Sequence, residues 1–243
     1  MHEGLLPAII FAFASFAQST SGFGFALVSV PLLLYLFDLS VVVPLVAAAD
    51  LLACLAVTAL DVRSLRPRLI WPLLLGLTGG SLVGTYFLKW APALPLKPAL
   101  GLGIILYCGR SLFRPSHTQL SPTPSAGIVA GGVAGVLGGL FGTNGPPIVM
   151  YLREVVRDKR AFRCHTSLAF LSDTLYRLVL YWFVGLLTPV VWSTLFRSSP
   201  GLILGLAAGS ALHRRMPQQL FDRMVILLLA FAGAGLILRD LMP

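Results

Sequence analysis

The sequence has little charge, few cysteines and no nucleotide-binding motif, and each shortage excludes a class of protein. Only 11% of its 243 residues are charged, whereas a soluble domain has about 25%, so an ordinary soluble fold is excluded. The three cysteines are widely spaced and form no CxxC pair, which argues against a disulfide framework, a metal site or another cofactor. No GxxxxGKS/T segment occurs, so an ATP-driven pump would lack its nucleotide site.

What the chain has in excess is apolar residues and basic charge. Hydrophobic residues make up 57% of the sequence, the mean hydropathy is +0.87 and the net charge is +9. Bacterial membrane proteins keep Lys and Arg in cytoplasmic loops, and no basic stretch here is interleaved with aromatics as in nucleic-acid binders. We therefore predict a multi-pass protein of the bacterial inner membrane that binds no nucleic acid. The first residues carry no basic n-region, so we expect the first apolar run to be retained.

Two polar, glycine-rich islands interrupt long apolar runs. The first, residues 18–24, lies within the run 5–37, and the second, residues 141–147, lies within 126–152. Irregular backbone at membrane depth is tolerated only where it is buried in protein or lines a cavity. A pair of breaks at corresponding places in two halves is typical of a transporter's binding site. The predicted substrate-binding residues are Gln18, Ser19, Thr20, Ser21, Gly22, Phe23 and Gly24 in the first island, and Gly142, Thr143, Asn144, Gly145 and Pro146 in the second.

Each island precedes an apolar limb that we expect to begin as a helix near the middle of the membrane. Thr20, Ser21, Thr143 and Asn144 are good N-cap residues, and Pro146 stands where a first-turn proline costs no hydrogen bond. A helix N-terminus offers free N–H groups and partial positive charge, which favour an oxyanion. These features predict an anion site; the alternative is that the glycines only pack helices and the polar groups only cap them.

Charged residues inside predicted spans are the other candidates, because they are costly in a bilayer. Asp173 and Arg177 are four residues apart and can pair on one helix. The pair either holds the fold, or Arg177 attracts the substrate and Asp173 pairs with Arg177 when the substrate is released. Asp50 has no basic partner in its own helix, so it either carries a coupled proton or pairs with Arg177 between the halves. His165 lies beside a basic loop, where it either titrates near neutral pH or is a surface residue.

The chain divides into two similar halves, 1–118 and 119–243, which form a single transmembrane domain. A shift of 120 positions places Gly22 on Gly142, and a shift of 129 positions matches residues 73–77 (LLLGL) with residues 202–206 (LILGL), which indicates an internal duplication. The glycines spaced by four in the span 71–90 favour close helix packing. The predicted spans are 41–60, 71–90 and 96–112 in the first half, and 164–187, 199–212 and 220–238 in the second, with a loop around Pro189 and Trp192.

Loop charge favours one of two topologies for the broken units. If both units enter and return as hairpins, most of the 18 basic residues fall on one side of the membrane. If the units cross, the basic residues divide almost evenly, so the positive-inside rule favours hairpins. Each half then has a re-entrant hairpin and three transmembrane helices. The predicted fold is an all-α polytopic membrane protein with two inverted repeats and both termini outside the cytoplasm; broken helices that cross are the alternative.

The two motifs resemble those of the TauE/SafE sulfite exporter family. SGFGFALVSVPLL at 21–33 is similar to its first glycine-rich motif, and GGVAGVLGGLFGTNGPPIVMYL at 131–152 is similar to its second. The resemblance covers essentially the whole chain and implies an inner-membrane exporter of small anions such as sulfite, sulfonates or related sulfur compounds. Its energy would come from a coupled proton or ion, or from the substrate's own gradient.

Two other functions remain open in the sequence. A passive anion channel of the same architecture is the first alternative. An intramembrane enzyme is the second, and it would need a nucleophile with a nearby base. Ser21 has no histidine placed to serve it, since the four histidines lie near loops, so we expect no catalytic residues.

Overall fold

The computed structural model describes residues 2–21, 24–58, 67–90, 102, 123–156 and 159–212. Almost all of these residues are helical, and no strand occurs among them. The helices are α1 (His2–Ser21), α2 (Phe25–Leu33), α3 (Leu39–Thr58), α4 (Pro67–Lys89), α5 (Pro124–Phe141), α6 (Gly145–Val155), α7 (Lys159–Val184) and α8 (Pro189–Leu212). The predicted spans 96–112, apart from residue 102, and 220–238 lie outside the described residues.

Several helices have the length and exterior of membrane spans. Ile70–Lys89, Pro124–Phe141 and Pro189–Ala211 are long and apolar enough to cross a bilayer, and Leu5–Ser19 and Leu39–Leu55 are shorter apolar helices. Their surfaces expose large apolar side chains, including Phe196 at 82% and, on α7, Phe183 at 80%. Water would disfavour such an exterior, whereas lipid accommodates it, so the chain is a multi-pass membrane protein.

The predicted loop around Pro189 and Trp192 is wrong. Helix α8 already begins at Pro189 and continues through Pro200 to Leu212. Proline is favoured at the first position of a helix because the N–H it lacks has no intrahelical partner there. The same residue that was interpreted as a loop signal is therefore a helix start.

Helix α4 packs closely along α5 through glycines on both helices. A Cβ on any of these glycines would collide with the backbone of the facing helix, so only glycine permits this approach. The predicted role of the four-residue glycine spacing in α4 is thus confirmed, and its partner is the first limb of the second broken unit. The glycines are Gly76, Gly80 and Gly84 on α4, and Gly131, Gly135 and Gly139 on α5.

Helix α8 contacts α1 in a corresponding way. A Cβ on Gly201 or Gly205 would meet the carbonyl of Ala8 or Ala12, and one on Gly209 would meet backbone of Phe16. The long helix of each half therefore packs on the broken unit of the other half. By these contacts Gly76 corresponds to Gly201. The match of LLLGL with LILGL pairs Gly76 with Gly205 instead, which lies one helical turn further along.

Both broken units fold back on themselves. The Tyr151 hydroxyl in α6 lies 2.8 Å from the Cβ position of Gly127 near the start of α5, although a continuous helix would separate these residues by about 36 Å. In the first unit, the rings of Phe11 and Phe25 have centroids 5.3 Å apart, where a continuous helix would separate the residues by about 21 Å. Helices α2 and α6 therefore turn back toward α1 and α5.

Candidate functional site

The two breaks meet at one small cavity of about 20 Å³. Both halves of the chain contribute to its wall, as the sequence-based hypothesis of paired islands requires. This space is enough for about one water molecule. Its lining residues are Gln18, Gly24, Phe25, Ala26, Leu27 and Asp50 from the first half, and Thr143, Asn144, Gly145 and Phe170 from the second.

The first break presents the N-terminus of α2 to this cavity. Gly24 is the N-cap, with φ 107° and no side-chain cap hydrogen bond, and the first bond of the helix runs from the Val28 N–H to the Gly24 carbonyl at 3.1 Å. The N–H groups of Phe25, Ala26 and Leu27 come before that bond, so they have no carbonyl partner within the helix. All three residues line the cavity. Such uncapped N–H groups are a favourable place for an anion.

The predicted capping of α2 by Thr20 or Ser21 is wrong. Both residues belong to the last turn of α1, which extends to Ser21, and Gly24 takes the N-cap position instead. A left-handed φ is available to glycine without the steric cost that a Cβ imposes. The turn therefore needs glycine at this position, and the helix N-terminus is left without a side-chain cap.

The second break differs from the first in its chemistry. Gly142 ends α5 with φ 73°, and α6 begins at Gly145 after Asn144. Pro146 and Pro147 fill the first turn of α6, as predicted for Pro146, and neither has an N–H to donate. Helix α6 therefore presents fewer backbone donors than α2, and an anion in the cavity would depend mainly on α2.

Asn144 does not cap α6 with its side chain, contrary to expectation. Its Nδ2 donates instead to Oδ2 of Asp173. The Ser81 hydroxyl donates to Oδ1 of the same carboxylate at 2.6 Å. Asp173 thus ties the second break to α4 and fixes the orientation of Asn144 at the cavity wall.

The predicted pairing of Asp173 with Arg177 is present and buried. Arg177 Nε lies 2.7 Å from Asp173 Oδ2, and Nη1 donates to the Gly138 carbonyl of α5 at 2.8 Å. Both charged side chains are about 2% exposed, and neither lines the cavity. Because the guanidinium is engaged by a carboxylate and a backbone carbonyl, this geometry favours the fold-holding alternative for the pair.

Asp50 lines the cavity and lies at the centre of a second hydrogen-bond network. Gln18 Nε2 donates to Oδ1 at 2.9 Å, Cys54 Sγ donates to Oδ1 at 3.7 Å, and the Thr174 hydroxyl donates to Oδ2 at 3.2 Å. Arg177 Nη2 in turn donates to the Thr174 hydroxyl at 3.4 Å. In this part of the chain Thr174 therefore links Asp50 to Arg177, in place of the direct ion pair considered from the sequence.

Other predicted residues lie away from the cavity or beyond the described part of the chain. Ser19 donates to the Leu206 carbonyl of α8 at 3.2 Å, and Gly142 packs near Val30 and Val43. His165 is fully buried, so its interpretation as a surface residue is wrong. Gly22 and Phe23, and the side chains of Thr20, Ser21 and Pro146, lie outside the described residues.

Sequence reasoning missed several contributors to the site. The free N–H groups at the start of α2 were expected, but Ala26 and Leu27 were not named as lining residues, and Phe170 and Thr174 on α7 were not singled out. A usable signal exists for α7, because Phe170, Asp173, Thr174 and Arg177 are spaced by three or four residues and so share one helical face. Nothing in the sequence pairs Ser81 with Asp173 across 92 positions.

Comparison with known proteins places the chain in a family. The family model described as "Sulfite exporter TauE/SafE" matches residues 7–236, which is nearly the whole chain. No curated protein and no solved structure matches it.

Proposed function

The chain belongs to the TauE/SafE sulfite exporter family, and on that premise we propose that it is a secondary carrier exporting a small sulfur-containing anion through the cavity between its breaks. The convergence of the two glycine-rich breaks on one cavity is the observation that carries this proposal. Sulfite, sulfonates and related sulfur compounds are the substrate class, since their compact oxyanions suit the backbone N–H groups that α2 presents to the cavity.

Among the described residues that line the cavity, the donors available to the anion are neutral. The N–H groups of α2 reach the cavity, whereas Arg177 is engaged by Asp173 and Gly138. A site without a free cation binds an anion less tightly, because charged hydrogen bonds are about twice as strong as neutral ones. This arrangement suits a carrier, which must release the anion at each cycle.

We further propose that the halves 1–118 and 119–243 are inverted repeats, each with a re-entrant hairpin, and that both termini lie outside the cytoplasm. Three observations support this: the fold-back of both broken units, the reciprocal packing of α4 on α5 and α8 on α1, and the one-sided loop charge that hairpins produce. Inverted repeats that meet at a central site are a common architecture of secondary transporters, in which one part moves against the other around the bound substrate.

Counterflow in proteoliposomes tests the proposed function. Vesicles loaded with unlabelled sulfite receive a trace of labelled sulfite, sulfoacetate or lactate outside, and a carrier should show transient, saturable accumulation of a sulfur anion. Asn144→Leu should abolish it, because the substitution removes an amide from the cavity wall. Thr194→Val is the matched control, since it removes a buried hydroxyl from α8 at a residue that does not line the cavity.

Other results would count against the proposal. Steady, poorly saturable flux without counterflow would indicate the passive channel. Folded protein that shows no counterflow with either sulfur anion would refute the proposed substrate class.

A further inference from the structure

Gln18 is a buried cavity residue whose amide nitrogen donates hydrogen bonds but whose amide oxygen has no partner among the described residues. Its Nε2 donates to Asp50 Oδ1 at 2.9 Å and to Cys54 Sγ at 3.3 Å. Its Oε1 accepts no hydrogen bond from the described residues, although the side chain is only 3% exposed. Buried polar atoms normally have partners, so this acceptor is available to a further hydrogen-bond donor.

The charge of Asp50 decides which end of the amide faces it. An ionised carboxylate can only accept hydrogen bonds, so it holds the Gln18 NH₂ group and leaves the oxygen unpaired. A protonated carboxyl has an O–H to donate, and it can satisfy Oε1 once the amide turns over. The two ends of a carboxamide have nearly the same shape, so this reversal needs little space.

The charge around the cavity opposes an anion unless a proton is present. Among the described Asp, Glu, Lys and Arg residues, the buried ones are Asp50, Asp173 and Arg177. Two carboxylates and one guanidinium leave one net negative charge, which repels an incoming anion at short range in a medium of low dielectric constant. A proton on Asp50 removes that charge.

We propose that the coupled ion is a proton carried by Asp50, and that the Gln18 carboxamide links it to the anion by turning its NH₂ group toward the cavity when Asp50 is protonated. This inference rests on the proposed carrier function and names its coupling ion. The proton passes from water in the cavity to Asp50 Oδ1, which then donates to Gln18 Oε1. The freed NH₂ joins the α2 N–H groups as an anion donor, so proton and anion are carried in the same direction and released together.

The surroundings of Asp50 suit a proton better than a metal ion. The groups that act on it are Gln18 from α1, Cys54 from its own helix, and Thr174 and Arg177 from α7. In this arrangement each of these groups either donates to Asp50 or bears a positive charge, whereas a hard cation requires a shell of converging oxygen ligands. A proton binds to one oxygen of the carboxyl, and the resulting O–H then needs a single acceptor, which Gln18 Oε1 provides.

Asp50→Asn separates coupling from transport. The new amide can donate to Gln18 Oε1 as a protonated carboxyl would, but it cannot release a proton. Counterflow of sulfoacetate should therefore remain measurable, with a changed half-saturation concentration because Asp50 lines the cavity, while uptake driven by a pH gradient falls to the level seen without a gradient. Asp38→Asn is the matched control, because Asp38 is an exposed carboxylate between α2 and α3 and its loss should leave gradient-driven uptake intact. Sulfoacetate keeps its charge between about pH 6 and about pH 8, so its own titration does not contribute.

Gln18→Met tests the amide itself, since it keeps the chain length and removes both polar atoms. At about pH 6 the half-saturation concentration for sulfoacetate should rise about tenfold, which corresponds to one hydrogen bond to an anion. At about pH 8, where fewer protons are available to Asp50, the change should be smaller. An equal rise at both pH values would show that Gln18 does not respond to the proton.

Three further results would overturn the inference. They are gradient-driven uptake retained in Asp50→Asn, loss of counterflow in folded Asp50→Asn, and uptake in the unmodified protein that follows a sodium gradient instead of a pH gradient. A lack of counterflow in the unmodified protein is different, because it refutes the proposed carrier function and the inference with it. Failure of coupling alone leaves counterflow intact, so the two failures are distinguishable.

Discussion

Removing the guanidinium of Arg177 should destabilise the fold more than a loss of surface charge would. The side chain is about 2% exposed and contacts Asp173 at 2.7 Å and the Gly138 carbonyl at 2.8 Å. Arg177→Met leaves two buried carboxylates without a compensating cation. Breaking a buried pair in this way costs about 3–5 kcal/mol. Unfolding of the purified protein by increasing sodium dodecyl sulfate, followed by tryptophan fluorescence, measures the loss.

A second substitution shows whether the uncompensated charge is the cause. Adding Asp173→Asn to Arg177→Met removes the carboxylate that lost its partner, so most of the stability should return, because neutral replacements of a buried pair are often tolerated. Arg197→Met is the control, since Arg197 is exposed on α8 and its loss should cost less than about 0.5 kcal/mol. The reasoning is refuted if Arg177→Met costs no more than this control, or if the double variant is as unstable as the single one.

The remaining predictions concern glycines. Gly80→Ala should cost about 1–3 kcal/mol in the same unfolding assay, because its Cβ would meet the Gly132 carbonyl. Gly79 has open space around it, so Gly79→Ala should be neutral or slightly stabilising. Equal losses in the two variants would contradict the close packing of α4 on α5. Gly24→Ala should cost about 1–2 kcal/mol from its left-handed backbone alone, since φ is 107° and nothing lies within 4 Å; an unchanged unfolding midpoint would contradict this conformation.

Much of the membrane architecture could be predicted from the sequence, because its signals are local. Apolar runs, the four-residue glycine spacing of α4 and the Asp173–Arg177 pair all lie within single helices, where period and side-chain direction are known. The two islands were found for the same reason, since polar backbone within an apolar run has few permitted environments. Their meeting at one cavity was expected from the internal duplication that the sequence indicates.

The partners within the site could not be predicted, because they depend on contacts between helices. Gln18 meets Asp50 across 32 positions, and Thr174 meets Asp50 across 124 positions, with no pattern in the chain that pairs them. Asn144 was expected to cap α6 because its residue type favours that role. A helix N-terminus needs an acceptor, whereas the buried Asp173 carboxylate needs donors. Asp173 accepts from the Asn144 NH₂ group, and this bond sets the orientation of the side chain.

Labelling of a single cysteine at Thr143 tests most directly whether the two breaks form the anion site. In a protein whose native cysteines are replaced and which still shows counterflow, Thr143→Cys should react with a charged, membrane-impermeant thiol reagent from the cavity. The transported anion should slow that reaction in a saturable manner. Thr194→Cys is the control, because Thr194 is 9% exposed and Thr143 is 8% exposed, but only Thr143 lines the cavity. Labelling of Thr143→Cys at the same rate with and without the anion would contradict the account.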